Sequence, residues 1–100
     1  MGMQAISDDE LEAVAEVFQL LSTPIRCGIF LHLAEGPKPV HELVAAMGVS
    51  QTLMSQHLRV LRMSRLVVAE RHGREVHYAL TDHHVLHIVR DAVEHTKEIP

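Results

Sequence analysis

Histidine is the conspicuous residue type in this chain: there are nine in 100 residues, and four of them, His83, His84, His87 and His95, fall near the C-terminus. Neutral imidazole is a common metal ligand, and its charge changes near physiological pH. Asp82 and His84 form an Asp-x-His, and His95 and Glu98 form a His-x-x-Glu, with ten residues between the two pairs. On a helix the step from His84 to His95 turns through about 1,100°, returning to within roughly 20° of the same face while climbing about 16 Å. One chain therefore cannot close a metal site with both ends, but two antiparallel copies can, each pairing Asp82 and His84 with His95 and Glu98 of the other, twice per dimer. Two imidazoles and two carboxylates without a thiolate suit zinc in a tetrahedron and also accept cobalt or nickel. The plainer alternative is a set of solvated surface histidines, with Asp82 merely stabilising a helix N-terminus. His84, His87 and Asp91 offer a competing set within one chain, and His87 could instead add a ligand for six-coordinate nickel or cobalt.

A second constellation suits nucleic acid. Thr52, Ser55, Gln56 and Arg59 recur at i, i+3, i+4 and i+7, a polar stripe preceded by Ser50 and Gln51. Gln pairs bidentately with adenine and Arg with guanine in a major groove, while small hydroxyls reach bases or phosphates. Arg71 and Arg74 lie in a polar loop downstream, where they suit phosphates or a minor groove. His57 borders the stripe and fits either a core hydrogen bond or a DNA contact. An ordinary amphipathic helix with a solvated polar face would show the same stripe, so the elements around it decide.

Those elements agree with one another. Ser7 and Glu10 form a capping box, followed by Leu11, Val14, Phe18 and Leu21 at helical spacing. Thr23 and Pro24 start a second helix, nearly all apolar from Ile25 to Leu33 and so expected to be buried on most sides. Gly36-Pro37-Lys38-Pro39 breaks it. Val40 to Met47 is a short third helix ended by Gly48, and Ser50 caps a fourth from about Gln51 to Ser64. Met54, Leu58 and Leu61, with Leu53, form its inward stripe. Two strand patterns follow, Leu66 to Glu70 and Glu75 to Leu80, joined by Arg71-His72-Gly73-Arg74. Thr81 is expected to cap a last helix running to about Glu98. The order α-α-α-α-β-β-α, mainly helical with a hairpin behind a helix-turn-helix, is that of a winged helix.

Bulk properties narrow the class. One unit over 1–100 is expected, small enough that pairing with a second copy would add needed stability. The net charge is −4, yet residues 36–75 hold six arginines and lysines against three glutamates, a local +3 where phosphate contact would occur. No apolar run is long enough for a bilayer and the N-terminus lacks a signal pattern, so a cytoplasmic setting without membrane association is expected. Cys27 is the only cysteine, which excludes an internal disulfide and fits a reducing compartment and a small buried core residue. His32, His41, His72 and His77 have no metal-ligand spacing and are assigned to the surface or to structural pairs. Met1, Met3, Met47, Met54 and Met63 fit start residues and packing. No nucleophile-base pairing or phosphate loop points to an enzyme.

Val40-His41-Glu42-Leu43-Val44-Ala45-Ala46-Met47-Gly48-Val49-Ser50-Gln51, Ser55-Gln56-His57-Leu58 and Val60-Leu61-Arg62 resemble the helix-turn-helix signature of the ArsR/SmtB repressors. Leu20-Leu21-Ser22-Thr23-Pro24-Ile25-Arg26 is similar to that family's entry into its second helix, and His72-Gly73-Arg74 with Tyr78-Ala79-Leu80 to its wing. One departure is Arg65, where the family usually has Gly. The Asp82, His84, His95 and Glu98 pattern matches the C-terminal helix site of the SmtB-like members, whereas Val40 to Val44 lacks the cysteine motif of arsenic or cadmium sensors. The resemblance implies a homodimeric, metal-responsive transcriptional repressor, paired through its first and last helices. Its apo form would hold double-stranded operator DNA, and zinc, or alternatively cobalt or nickel, would release it. The competing reading is a DNA-binding regulator of the same fold that senses no metal. A helix-mediated protein-interaction module without DNA function is a more distant one.

Overall fold

The computed structural model describes residues 5–99, and so leaves Met1 and Met3 outside the described residues. α1 spans Asp8–Leu20 and opens on the expected capping box: the Ser7 hydroxyl accepts from the Glu10 amide at 3.1 Å, and the Glu10 carboxylate accepts from the Ser7 amide at 3.1 Å. α2, Pro24–Leu33, is capped by Thr23, whose hydroxyl accepts from the Arg26 amide at 3.1 Å. Ile29, Phe30 and Leu33 of α2 are buried and Ile25 to Gly28 and His32 half-buried, so that only Pro24 and Leu31 are exposed and the helix is covered on most sides, as its apolar run suggested. Cys27 is half-buried against the core and not within it, its thiol donating to the Leu21 carbonyl at 3.0 Å.

α3, Val40–Met47, ends at Gly48, which takes the left-handed conformation that favours glycine, at φ 66°. α2 and α3 approach closely where Gly28 meets Met47: a Cβ on Gly28 would stand 2.6 Å from the Met47 methyl. α4, Gln51–Met63, is capped by Ser50, whose hydroxyl accepts from the Leu53 amide at 3.0 Å. Its C-terminus closes with the Leu66 amide on the Leu61 carbonyl at 2.9 Å and the Arg65 amide on the Arg62 carbonyl at 3.0 Å. That paired closure places the residue after the cap in the left-handed region, and the residue there is Arg65, at φ 64°. Among the described residues it is the one non-glycine with positive φ.

Three strands form one antiparallel sheet, in the order β1-β3-β2. β2, Val67–His72, and β3, Glu75–Leu80, pair in register from Val67 with Leu80 to His72 with Glu75. The hairpin turn is thus Gly73 and Arg74 alone, and Arg71 lies in the strand opposite Val76, not in the loop. β1, Lys38–Pro39, was not apparent in the sequence: it pairs with Tyr78 and His77 in the stretch expected only to break the second helix. α5 spans His84–Glu98, with His83 as its cap residue. Thr81 does not cap it. The Thr81 amide instead extends the hairpin to the Leu66 carbonyl at 3.1 Å, and the Asp82 carboxylate accepts from the His84 amide at 2.9 Å.

The core joins Ile29, Phe30 and Leu33 of α2 with Leu43 of α3, Met54, Leu58 and Leu61 of α4, Val67 of β2 and Leu86 and Val89 of α5. Leu53, expected to share the inward stripe, is 37% exposed, and Met63, expected to pack, is 73% exposed. α1 buries no residue in the protomer, and Leu11, Val14 and Phe18, its apolar stripe, all face outward. Helix-turn-helix and hairpin together make a winged helix.

Candidate functional site

Gln51, Thr52, Ser55, Gln56 and Arg59 are all exposed and line one shallow cleft of about 440 Å³ on α4. The buried Met54, Leu58 and Leu61 fix which way this polar face points. Ser50 sits at its edge with its oxygen engaged in the helix cap, leaving its hydroxyl proton to donate. Arg71 in β2 and Arg74 at the turn are exposed on the wing. Among the described residues, Arg59, Arg71 and Arg74 have no carboxylate within 4.0 Å, so their charges are uncommitted within the protomer. Arg62 belongs with them and was not singled out from the sequence. It lines a second cleft with Ser55, Arg59 and Tyr78, and the signal that finds it is its position seven residues after Ser55, on the same stripe.

His57 is not part of this face. The Arg26 Nε donates to His57 Nδ1 at 3.0 Å, and Arg26 Nη1 donates to the Leu20 carbonyl at 3.2 Å, so one guanidinium ties α4 to the end of α1. Burial, and then the Arg26 charge, hold the His57 imidazole below the usual histidine range, which keeps Nδ1 free to accept.

The wing carries a histidine-glutamate network. The Glu75 carboxylate sits between His41 Nε2 of α3 at 2.9 Å and His77 Nε2 at 3.2 Å. Glu70 and His72 pair at 3.2 Å, and the His72 and His77 rings stack at 4.3 Å with 7° between their planes. These histidines are the structural and surface residues that their spacing suggested. The bonds from His41 and then His77 lower the Glu75 pKa from its ordinary 4.5. A depressed carboxyl contributes stability that is complete above its ordinary value and lost as the pH falls through its folded value. His41→Ala is expected to move the Glu75 titration, followed by carboxyl-carbon NMR, back up toward 4.5. An unchanged titration would show that the bond from α3 does not form.

Of the expected metal ligands, Asp82 and His84 are adjacent: beside the bond to the His84 amide, the Asp82 carboxylate lies 3.6 Å from His84 Nδ1. His84 is 92% exposed, and His95 and Glu98 are exposed near the far end of α5. The donors thus stand as two open half-sets, chemically suited to zinc, cobalt or nickel, with one half at each end of the helix. Among the described residues, no three His, Cys, Asp or Glu side chains of the protomer converge as metal ligands. That includes the alternative set of His84, His87 and Asp91, which are strung along one helix over roughly 10 Å of rise. Beside α5, Phe18, Leu21, Cys27, Ile88, Ala92 and Val93 border an apolar groove of about 300 Å³. No single helix among the described residues is long and apolar enough to cross a membrane.

Comparison with known proteins agrees with this geometry. A family model described as "Bacterial regulatory protein, arsR family" matches residues 23–68, from the cap of α2 into β2. The HTH-type transcriptional repressor SmtB of Mycobacterium tuberculosis is 50% identical over 88 residues, covering 88% of this chain and 65% of that protein. The chain thus spans just under two thirds of that relative's length. The transcriptional repressor SmtB homolog of Synechocystis is 39% identical over 95 residues, covering 95% of this chain and 72% of that protein. Among solved structures, a homodimeric winged helix-turn-helix DNA-binding domain from Mycobacterium bovis superposes with a TM-score of 0.78 at 28% identity, covering 96% of this chain and 92% of that one. The relatives are regulators by name.

Proposed function

The chain belongs to the arsR family of bacterial regulatory proteins, and on that premise we propose that it is a homodimeric, cytoplasmic transcriptional repressor whose operator DNA is released when a divalent metal, zinc first and cobalt or nickel otherwise, binds across the dimer. The observation that carries the proposal is the division of one complete donor set into two exposed half-sets, Asp82 with His84 and His95 with Glu98, at opposite ends of a single helix. Two α5 helices laid antiparallel would bring unlike halves together at two sites. When bound there, the metal supplies a cross-link between the two last helices.

The chain's own residues perform the rest. Gln51, Thr52, Ser55, Gln56 and Arg59 present donors and acceptors to base edges, Ser50 holds the first turn of α4, and Arg71 and Arg74 reach phosphates or the neighbouring minor groove. The outward apolar stripe of α1 and the groove along α5 support pairing through the first and last helices, which would set the spacing of two α4 helices on a near-palindromic site. α5 also places Leu86 and Val89 in the core shared with α4, so a shift of α5 in the dimer can be felt at the reading helix.

Fluorescence anisotropy tests this at fixed salt, on an imperfect palindrome from the DNA upstream of the gene. One zinc equivalent per protomer is expected to weaken binding by about 5- to 150-fold, the usual range for coupled sites. Tight binding unchanged by zinc, cobalt or nickel would leave a plain winged-helix regulator.

A further inference from the structure

The polar face of α4 does not end at the residues suited to bases. The cleft lined by Gln51, Thr52, Ser55, Gln56 and Arg59 shares Ser55 and Arg59 with the cleft bordered by Arg62 and Tyr78. That cleft in turn shares Arg62 with a third, of about 440 Å³, lined by Arg65, Val67, Val68, Ala69 and Thr81. The result is a continuous track from the N-terminus of α4 to the base of the wing. Gln51 to Arg59 covers about 12 Å of helix rise, which is about the width of a B-DNA major groove. Arg62 lies roughly 16 Å from Gln51 along the axis and Arg65 farther still, so a helix that seats its first turns in the groove carries both arginines out over its edge. What lies there is sugar-phosphate backbone. Among the described residues neither guanidinium has a carboxylate within 4.0 Å.

Arg65 adds an independent observation. It holds φ 64° at the helix closure, a conformation in which glycine is comfortable and an arginine is strained. Its side chain is exposed, so no burial offsets that strain. A strained, uncommitted cation at the end of a polar track calls for a ligand outside the protomer.

We infer that Arg62 and Arg65 form a phosphate clamp that grips the DNA backbone flanking the groove entered by α4. The clamp rests on the DNA-binding reading above and adds to it a contact that sets register without reading sequence. Arg65→Gly separates the two roles by sign. Relief of the left-handed strain is expected to raise Tm by on the order of 4 °C. Loss of one phosphate contact per protomer is expected to lower the slope of log K against log salt by about 2 for the dimer and to weaken binding roughly 30-fold at 0.15 M salt, alike for specific and unrelated duplexes. Arg65→Lys is expected to recover most of the slope, which a purely structural role would not produce. Arg62→Ala is expected to repeat the loss without the gain in Tm. If Arg62→Ala and Arg65→Gly keep the wild-type slope and affinity while Arg59→Ala loses binding, the clamp is overturned and DNA binding stands. If Arg59→Ala is also without effect, the DNA face itself is overturned, and the clamp with it.

Discussion

His95→Ala is expected to leave operator binding intact and to abolish its release by metal. The side chain is exposed near the end of α5 and belongs to no part of the core, so the apo fold and the α4 face should be unchanged. In the proposed dimer, though, the substitution would remove one of four ligands from each of two sites. Loss of an outer partner to a metal ligand already costs 10- to 100-fold in affinity, so loss of the ligand itself should weaken zinc by at least about 100-fold. Anisotropy would then show wild-type affinity without zinc and no weakening at one equivalent. Glu98→Gln should behave likewise but less severely, since an amide oxygen still coordinates weakly. His32→Ala, a half-buried histidine on α2 away from both half-sets, is the control and should respond as wild type does. Release of the His95→Ala protein at the wild-type zinc concentration would place the metal elsewhere. Linkage supplies a second readout: operator DNA must weaken zinc binding by the same factor by which zinc weakens DNA binding.

What the sequence disclosed follows from how local each signal is. The capping box at Ser7 and Glu10, the Thr23 and Ser50 caps and the Gly48 stop involve residues within three or four positions, and all four formed as expected. β1 was invisible because Lys38 and Pro39 are strand only by pairing with β3, some forty residues on. Thr81 does not cap α5 because the hairpin holds its amide on Leu66 and the helix starts only at His84, with His83 at the cap position and the Asp82 carboxylate accepting from the His84 amide. The wing network was only partly within reach: Glu70 with His72 and Glu75 with His77 are i, i+2 neighbours on one strand, whereas the His72 to His77 stack needs the β2–β3 register and His41 arrives from another element. Arg65 is the opposite case. Its departure from glycine was legible, and the structure shows that it keeps the left-handed conformation rather than altering the turn. The polar face of α4 was legible in its residues, because helical spacing alone aligns Thr52, Ser55, Gln56 and Arg59, and the same spacing carries it on to Arg62. The proposed metal donors were legible as two pairs, which the fold leaves at opposite ends of α5; their union would depend on a second chain.

Leu58→Ala is expected to cost about 3–5 kcal/mol of folding stability, enough to remove most of the margin of a domain this small. Leu58 lies between Met54 and Leu61 on the inner stripe of α4, and all three are fully buried. Truncation removes apolar contact and leaves a cavity that helices on several sides cannot close without losing contacts of their own. The same stripe orients Gln56 and Arg59, so operator binding should fall in step with the folded fraction. Urea unfolding read by circular dichroism at several protein concentrations would measure the loss and separate it from dimer dissociation, which stabilises the fold by mass action. Leu53→Ala, at 37% exposure on the same helix, should cost no more than about 1 kcal/mol. Equal losses for the two variants would mean that α4 is not anchored by this stripe. The remaining candidate would then be the Arg26 to His57 bond, which reaches the helix from α2. Because that bond needs a neutral imidazole, its share of the anchoring should disappear as acid protonates His57, below the usual histidine range. Leu58 has no titratable group, so its contribution should persist across the same pH interval, and a pH series on both Leu58→Ala and His57→Ala assigns the anchor.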